Sequence, residues 1–355
     1  MVISEDYMQK MGRNGTNENR KGRLMEQMNN YRIIWKKRAD GSACLLRVYG
    51  EFPCIRLPEE IGGVPLTEIA AYCFAPVTHF KAETSDQQAD IFEEVVTEDG
   101  YSVKNLRELA GNAIEEVEIP ASVHTIGNCA FYNCRNLKKL YLHGKIDQLG
   151  SDAFMNTTAF HQMMLFYSPQ TAGGADKILK QITSDLEVVF TEDGQVTAKL
   201  LYPEYYESYD EIAPAHIFGR SITGEGFRAR QCMKDGKVDL AGYDAVFAQA
   251  CVEESEQTLS QMALDRLCYP YDLKEKHRQQ YSSYVREHSS KIVISLTDKK
   301  ELSILQELYQ KKLIDDRNLA ECMKRAAEAG WAEGAAVFLG WQASKRTQRK
   351  KRYEF

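Results

Sequence analysis

Two consecutive 23-residue segments of the chain repeat the same pattern of residue types. The first segment begins at Ile114 and the second at Leu137. The matched pairs are Ile114/Leu137, Val117/Leu140, Ile119/Leu142, Val123/Ile146, Ile126/Leu149, Gly127/Gly150, Ala130/Ala153 and Phe131/Phe154. A repeat of roughly 20–29 residues with apolar residues at alternate strand positions predicts a solenoid, because one turn cannot bury its own apolar face and must stack on its neighbours.

Partial copies of this pattern lie on both sides of the two segments. Downstream, the first three columns continue with Phe160, Met163 and Leu165, after which the period ends. Upstream, a degenerate copy supplies Ile55, Leu57, Leu66, Ile69 and Phe74. An insertion over about residues 78–112 interrupts the register, and the pattern does not predict its structure. We expect the small residues to form the tight turn of each repeat and the phenylalanine to fill the interior.

The segment EIPASVHTIGNCAFYNCRNLKKL resembles the BspA-like leucine-rich repeat, whose pattern is roughly IPxSVxxIGxxAFxxCxxLxxI. The segment LPEEIGGVPLTEIAAYCFA is similar to the first repeat of such proteins, with its GGVP insertion. The resemblance covers about residues 45–170 and implies a leucine-rich solenoid with a buried cysteine at Cys134. It does not specify a function, because the family includes adhesins, surface antigens and many uncharacterised proteins. This chain departs from the adhesin type, since it has few repeats, no sorting motif and a long helical part.

Patterns outside the repeats predict end caps and a helical domain. Hairpins are expected around Asp40–Gly41 and Asp193–Gly194, and each would cover one end of the solenoid. From about Asp239 onward, apolar residues recur at helical spacing, and a weak offset of 32 links Tyr309 with Trp341. The last helices weakly resemble an ankyrin-type array without its TPLH signature. The expected fold class is therefore α+β: a short leucine-rich-repeat solenoid with β-hairpin caps, followed by an α-helical hairpin-repeat domain.

These patterns divide the chain into five regions. The regions are a disordered leader at 1–30, a leucine-rich repeat domain with caps at 31–192, an irregular connecting segment at 193–238, a helical repeat domain at 239–343 and a basic tail at 344–355. The tail carries six Lys and Arg residues. The net charge of the whole chain, -6, does not favour nucleic acid, so nucleic-acid contact is expected only through this tail, if at all.

Cysteine usage and hydropathy indicate the expected compartment. The nine cysteines form no CxxC pair and no zinc-finger spacing with histidine, which indicates free thiols in a reducing cytoplasm. No apolar run approaches the roughly 20 residues that a membrane-spanning helix needs. The polar N-terminal sequence lacks the apolar stretch of a secretory signal. We therefore expect a cytoplasmic protein with no membrane span.

Motif spacing does not predict catalysis, a cofactor or a metal. Gly224 and Gly226, with Arg228 and Arg230 after them, lack the rest of a phosphate-loop fingerprint, so a mobile or hairpin loop is expected. The seven histidines are scattered without carboxylates or thiols at ligand spacing. Cys134 is expected to pack in the interior, because a nucleophilic cysteine needs a neighbouring base and free cysteines are usually buried.

The outward positions of the repeat strands form a candidate surface. Residues between the inward ones point outward in a strand, so stacking predicts a column of Arg56, Glu118, Tyr141 and Met164, and a second column of Pro120, His143 and Phe166. Its aromatic and thioether members would form an apolar patch, and such patches usually mark an interface with a partner protein or with the chain's own helical domain. The candidate partner-binding residues are Glu118, Lys139, Tyr141, His143, Met164 and Phe166.

Two functions fit these patterns. The leading prediction is an intracellular bacterial scaffold or adaptor that binds an unidentified protein partner through its repeat surfaces. The alternative is an enzyme or enzyme subunit whose site lies in the glycine- and arginine-containing segment 200–236. A deep pocket with perturbed ionisable groups around Arg228 would favour the enzyme.

Overall fold

The structure is a computed structural model that describes residues 31–76, 91–96, 106–212 and 217–352. The chain divides into two compact units, Met1–Glu253 and Glu254–Phe355. The first unit contains a β-solenoid of about five turns over residues 43–190. The predicted leader at 1–30 and much of the predicted insertion lie outside the described residues.

The strands of the first unit form two long sheets and two short hairpins. Sheet A contains β1 (Tyr31–Lys37), β2 (Ala43–Gly50), β4 (Glu60–Ile61), β5 (Val64–Ile69), β6 (Ile91–Val96), β7 (Arg107–Glu108), β9 (Thr125–Ile126) and β11 (Gln148–Leu149). Sheet B contains β3 (Cys54–Arg56), β8 (Glu116–Ile119), β10 (Lys139–Leu142), β12 (Gln162–Leu165), β13 (Leu186–Glu192) and β14 (Gln195–Tyr202). The hairpins pair β15 (Tyr206–Ile212) with β16 (Ile217–Thr223), and β17 (Met233–Lys234) with β18 (Lys237–Val238).

Each of the first four turns contributes one strand to each long sheet, and the last turn contributes β13 to sheet B. In sheet B the strands β3, β8, β10, β12 and β13 are parallel neighbours, and in sheet A the parallel neighbours are β2, β5, β9 and β11. Antiparallel strands lie at the ends, with β1 and β6 beyond β2 in sheet A and β14 beyond β13 in sheet B. The stacked turns predicted from the 23-residue period are confirmed.

The interior of the solenoid is built from the predicted columns. The inward strand residues of sheet B are buried, and they include Val117, Ile119, Leu140, Leu142, Met163 and Leu165. Phe131 is fully buried and stacks between Phe74 and Phe154, with ring centroids 4.8 and 4.9 Å away. A Cβ atom on Gly150 would lie 2.2 Å from the backbone nitrogen of Asn128, so only glycine fits between these turns.

The strand columns continue beyond Leu165, where the sequence pattern predicted their end. Val188 lies opposite Met163 and Phe190 opposite Leu165 in parallel register, and both added residues are fully buried. Where the preceding repeat has Ala153 and Phe154, this last repeat contains the short helix α1 (Ala175–Leu179). The spacing between strands therefore changes from 23 to 25 residues, which hides the last turn from a fixed-period search.

A hairpin covers the N-terminal end of the solenoid, as predicted. β1 and β2 pair around Asp40–Gly41, from Lys37 opposite Ala43 to Tyr31 opposite Gly50. The side chain of Arg47 is buried behind this hairpin and donates to the backbone oxygens of Cys73 and Ala75 at 3.0 and 2.8 Å. Buried carbonyl groups at this end of the stack thus receive a charged donor.

A second hairpin covers the other end. β13 and β14 pair around Asp193–Gly194, and both turn residues have positive φ, as a type I′ turn requires. The segment 193–238 was expected to be irregular, and that expectation is wrong. It contains the whole of β14, the strands β15 to β18 and the helix α2 (Gly226–Gln231). The segment 193–238 is therefore a folded part of the cap at the C-terminal end of the solenoid.

Arg230 holds this cap together. Its guanidinium is almost fully buried and donates to the backbone oxygens of Ile182 at 2.8 Å, Ser184 at 2.7 Å, Gly226 at 3.0 Å and Pro203. Burial lowers its pKa to about 10, well above neutrality, so the group stays charged at pH 7. One side chain therefore joins four carbonyl groups from three backbone segments at the end of the solenoid.

The described helices that follow are α3 (Leu240–Glu253), α4 (Glu256–Cys268), α5 (Glu275–Glu287), α6 (Ser289–Asp298), α7 (Leu302–Gln310), α8 (Asp316–Glu328) and α9 (Ala332–Arg352). In the second unit, α4 packs on α5, and α8 packs on α6 and α9. Lys300 and Gly330, which have the left-handed backbone conformation, follow the ends of α6 and α8. In each case the amide of the next residue donates a hydrogen bond to the carbonyl oxygen five residues before it. The equivalent turns are therefore 30 residues apart, so the predicted offset of 32 is wrong by two.

The predicted basic tail at 344–355 is helical as far as Arg352, because α9 continues through it without a break. Tyr309 and Trp341, which the predicted offset linked, stack on each other with ring centroids 4.3 Å apart. The α-helical hairpin-repeat domain predicted after the solenoid is present.

Candidate partner-binding face

The outward residues of sheet B stand in columns across neighbouring parallel strands. Glu118 lies opposite Arg56 on one side and Tyr141 on the other, and Met164 lies opposite Tyr141. This order is the one that the repeat period predicted. The register continues the column to Val189 of β13, which the sequence did not reveal.

A further outward column, formed by the residues two positions earlier in each strand, runs beside the column of Glu118 and Tyr141. It places Lys139 between Glu116 and Gln162, and Gln162 opposite Glu187. Most of these side chains bond within the face. Lys139 Nζ lies 3.6 Å from Glu116 Oε1, and the amide of Gln162 donates to Glu187. Lys139 and Glu116 therefore neutralise each other across two neighbouring strands, and Glu187 accepts a hydrogen bond from the next strand.

His143 and Phe166 directly follow β10 and β12. The backbone amide of His143 donates to the oxygen of Ile119 at 3.2 Å, and that of Phe166 donates to Leu142 at 3.0 Å. These bonds continue the parallel pairing by one residue, so the two rings come together. The rings stack with centroids 4.0 Å apart and planes 9° from parallel. All six candidate residues thus lie on one face.

Glu118 is the most deeply buried acid on this face, with 9% of its side chain exposed. Arg56 Nε donates to its Oε2 at 2.8 Å, and His143 Nε2 lies 2.8 Å from its Oε1. Burial alone would raise the pKa of the Glu118 carboxyl, but the hydrogen bond with His143 and the charge of Arg56 outweigh burial and hold the pKa below its ordinary value. Glu118 is therefore a carboxylate at neutral pH, with both oxygens occupied.

Glu116, in the column that contains Lys139, also accepts a hydrogen bond from a side chain of the neighbouring strand. The hydroxyl of Tyr141 donates to its Oε2 at 2.7 Å. Burial of the phenol, and then the charge of Glu116, raise the pKa of Tyr141 well above its ordinary value. This hydrogen bond fixes the ring orientation of Tyr141. The sequence did not predict it, because Glu116 lies 25 residues earlier, on the preceding turn.

The apolar members of this face lie among charged and polar groups that hydrogen-bond to one another. Tyr141, Met164 and Phe166 are half-buried and lie together in a surround of fixed charged groups. A carboxylate with both oxygens bonded and a phenol with a raised pKa are poor general bases and acids at pH 7. Fixed side chains lose little conformational freedom when a partner docks, which favours a recognition surface.

The glycine and arginine residues of the segment 200–236 have structural contacts. A Cβ on Gly226 would lie 1.8 Å from the backbone oxygen of Pro203, and one on Gly224 would lie 2.7 Å from that of Glu204. Arg228 pairs with the buried Glu225 at 2.8 Å, and Arg230 is the buried cap residue. Gly224, Gly226 and Arg230 thus serve packing, and Arg228 neutralises the buried Glu225.

The cysteines and histidines form no set of metal ligands in the part of the chain that the structure describes. Within those residues, no group of three or more His, Cys, Asp or Glu side chains could hold a metal ion. Cys134 is fully buried, and its thiol donates to the backbone oxygen of Phe74 at 3.1 Å. Burial raises the pKa of this thiol to about 12, so it stays protonated and fills space, as predicted.

Among the described helices, none is both long enough and apolar enough to span a bilayer. Comparison with known proteins identifies one family. Residues 107–173, which include β7 to β12, match the family model of the BspA type leucine rich repeat region, with 6 copies. No curated protein and no solved structure matches the chain significantly. The stacked strands, the phenylalanine column and this match agree, and the segment 107–173 is a BspA-type leucine-rich repeat region.

Proposed function

We propose that this chain is a non-enzymatic scaffold or adaptor that binds a partner protein through the outward face of sheet B. Leucine-rich and helical repeats commonly present surfaces for protein–protein interaction. The residues proposed to contact the partner are Glu118, Lys139, Tyr141, His143, Met164 and Phe166. The single observation that carries the proposal is the half-buried group of Tyr141, Met164 and Phe166, fixed by hydrogen bonds and stacking on a regular surface.

The chemistry of this face favours a partner with both apolar and charged groups. Tyrosine, phenylalanine and methionine are enriched at interface centres, and charged residues form the rim. Here the rim includes Lys139 beside Glu116, and Lys199 beside Glu187. A partner would bury the apolar centre and exchange rim charges, which sets orientation more than affinity.

We further propose that the protein is bacterial and works in the cytoplasm. The cysteines are free thiols, and Cys44, Cys73 and Cys134 are buried. Burial raises the pKa values of all three, so they persist as unreactive thiols in a reducing compartment. The bacterial origin rests on the resemblance to BspA-type repeats alone.

The test is the double variant Tyr141→Glu with Met164→Glu. Partners of the wild-type chain are first identified by affinity purification from the native cell and mass spectrometry. Binding of each purified partner to wild type and variant is then measured by calorimetry. The matched control is Tyr132→Glu with Met155→Glu, since these residues have the same types and lie on the repeat turns outside the strands of sheet B.

Loss of partner binding in the double variant, with binding and melting temperature unchanged in the control, supports the proposal. A moderate fall in melting temperature is expected in the double variant, since Tyr141→Glu removes the hydrogen bond to Glu116. A fall much larger than that of Tyr141→Phe, with partner binding retained, would show that the face packs against the protein itself. Unchanged binding and unchanged stability would remove these residues from the interface, and the proposed site would be wrong.

A further inference from the structure

The hairpin β15–β16 is a two-stranded sheet of its own. Its register runs from Tyr206 opposite Thr223 to Ile212 opposite Ile217, and among the described residues no third strand pairs with it. An isolated two-stranded hairpin is only marginally stable in water. Its outer edges also present unpaired backbone N–H and C=O groups, to which another strand can bond.

The base of this hairpin is firmly held by the cap. The ring of Tyr205 meets that of Phe227 edge-on, with centroids 5.6 Å apart, and the guanidinium of Arg220 lies 5.2 Å from the Phe227 centroid. Arg220 also pairs with Glu207 across the hairpin through two bonds of 2.7 and 3.1 Å. The hairpin is therefore fixed in place at its base by aromatic and ionic contacts.

Large side chains on the hairpin are unusually open to solvent. Tyr206 is 65% exposed and Tyr209 64%, while Ile222 on the facing strand is 36% exposed. Residues three apart in a strand point to opposite faces, so one tyrosine ring lies on each side of β15. Both faces of the same strand thus offer an exposed aromatic ring.

Charge distinguishes this strand from the rest of the cap. The sequence PEYYESYDEI at 203–212 contains Glu204, Glu207, Asp210 and Glu211, and no Lys or Arg. One basic residue, Arg220, faces it from β16. An acidic strand with exposed tyrosines suits a basic ligand, because carboxylates attract ammonium and guanidinium groups and tyrosine faces bind them through cation–π contacts.

We propose that the outer edge of β15 accepts an extended, Lys- and Arg-rich segment of another protein as a third strand. Backbone hydrogen bonds along the edge provide the affinity, and the acidic and tyrosine side chains on the two faces select basic residues. This site is separate from the outward face of sheet B, so it goes beyond the proposed scaffold surface.

The probes are two short fluorescent peptides of equal length, one alternating lysine with valine and the other glutamate with valine. Valine keeps the strand preference of both peptides equal. The lysine peptide is expected to bind the full-length chain, more weakly as salt increases, and to slow hydrogen exchange at the amides of 206–212. The same lysine peptide with an N-methyl group on every backbone nitrogen should not bind, since neither of its edges can then donate backbone hydrogen bonds.

The variant is Glu204→Lys with Glu211→Lys, and the matched control is Glu60→Lys with Glu328→Lys, two exposed acids elsewhere that change the net charge equally. The hairpin variant should weaken lysine-peptide binding about tenfold, and the control should not. Circular dichroism and melting temperature show whether both variants fold. Equal weakening in both variants would show bulk attraction to an acidic protein and overturn the proposal.

Two other results would also overturn it. Binding of the glutamate peptide as tightly as the lysine peptide would remove the charge selection. Dimerisation of the chain without peptide, detected by sedimentation and abolished only in the hairpin variant, would show that the edge pairs with a second copy.

Discussion

The inward and outward faces of the same five strands in sheet B differ sharply. The inward column reads Ile55, Val117, Leu140, Met163 and Val188, and every member is fully buried. The outward column reads Arg56, Glu118, Tyr141, Met164 and Val189. One column keeps a single chemistry over five turns, and the other changes from cation to anion to phenol to thioether to aliphatic.

The difference follows from what each face must satisfy. Inward residues pack against equivalent residues of adjacent turns at interior density, so each turn needs a similar apolar shape. Outward residues are not packed against equivalent residues in the interior, and pairs such as Glu118 with Arg56 satisfy them locally. Stability is therefore expected to depend mainly on the inward face, and recognition on the outward one.

The largest expected effect tests the inward face. Phe131→Ala removes a ring that stacks on Phe74 and Phe154, and it should lower the local unfolding free energy of the solenoid by about 3–5 kcal/mol. Hydrogen exchange at the amides of β8, β10 and β12 measures this free energy within the first unit. Phe166→Ala on the outward face should cost less than half as much. Equal costs for the two variants would break the comparison.

The next effect tests how closely the turns approach. Gly150→Ala places a methyl group where the backbone of Asn128 already lies, so the turns must separate, at a cost of about 3 kcal/mol. The matched control is Gly340→Ala in α9, where no atom lies within 4 Å and alanine should stabilise the helix by about 0.5–1 kcal/mol. Opposite signs in thermal melts are expected, and a harmless Gly150→Ala would contradict the tight stacking.

A smaller effect, dependent on pH, tests the outward network. Glu118→Gln removes the charge that Arg56 and His143 bind, and should cost about 2 kcal/mol at pH 7. The pKa of Glu118 is lowered in the folded chain, so its contribution is complete above the ordinary glutamate value of about 4.3 and is lost as pH falls through the folded pKa. The stability gap between wild type and variant should therefore narrow below about pH 4.3.

Urea unfolding at a series of pH values measures this gap. The control Glu60→Gln changes an exposed acid on β4 and should leave the pH profile as it is. A gap that widens on acidification would mean that the carboxylate of Glu118 does not stabilise the folded state.

The smallest effect concerns one hydroxyl group. Tyr141→Phe keeps the ring and removes its bond to Glu116, so the unfolding free energy should fall by about 1 kcal/mol. Partner binding should change little if the ring surface is what the partner contacts. A large loss of partner binding with unchanged stability would instead show that the partner takes a hydrogen bond from this hydroxyl.

The sequence predicted the inward face far better than the outward one. Val117, Leu140 and Met163 could be read from the 23-residue period, because packing repeats their chemistry at a fixed spacing. The period also placed Arg56 beside Glu118, but it did not predict the hydrogen bonds of Arg56 and His143 to the Glu118 carboxylate. Such bonds depend on rotamers and on lateral distance, which a period does not encode.

Departures from the period caused the remaining errors in the fold. Val188 was missed because a helix in the preceding loop lengthens the last turn by two residues. The sequence did not predict the hairpin β15–β16. Both faces of β15 carry exposed side chains, so its sequence lacks the alternation of apolar and polar residues that predicts a strand. Of the candidate face, the columns were predicted, and the hydrogen bonds that fix them were not.

The strand β14 has a consequence for how long the solenoid can grow. A stack of equivalent parallel turns has no intrinsic length, and the open end of one molecule could add to the start of another to form a filament. β14 runs opposite to β13, so an incoming turn would meet unevenly spaced antiparallel hydrogen bonds in place of the even parallel ones that a further turn needs. The hairpin β13–β14 thus limits the number of solenoid turns and opposes end-to-end polymerisation.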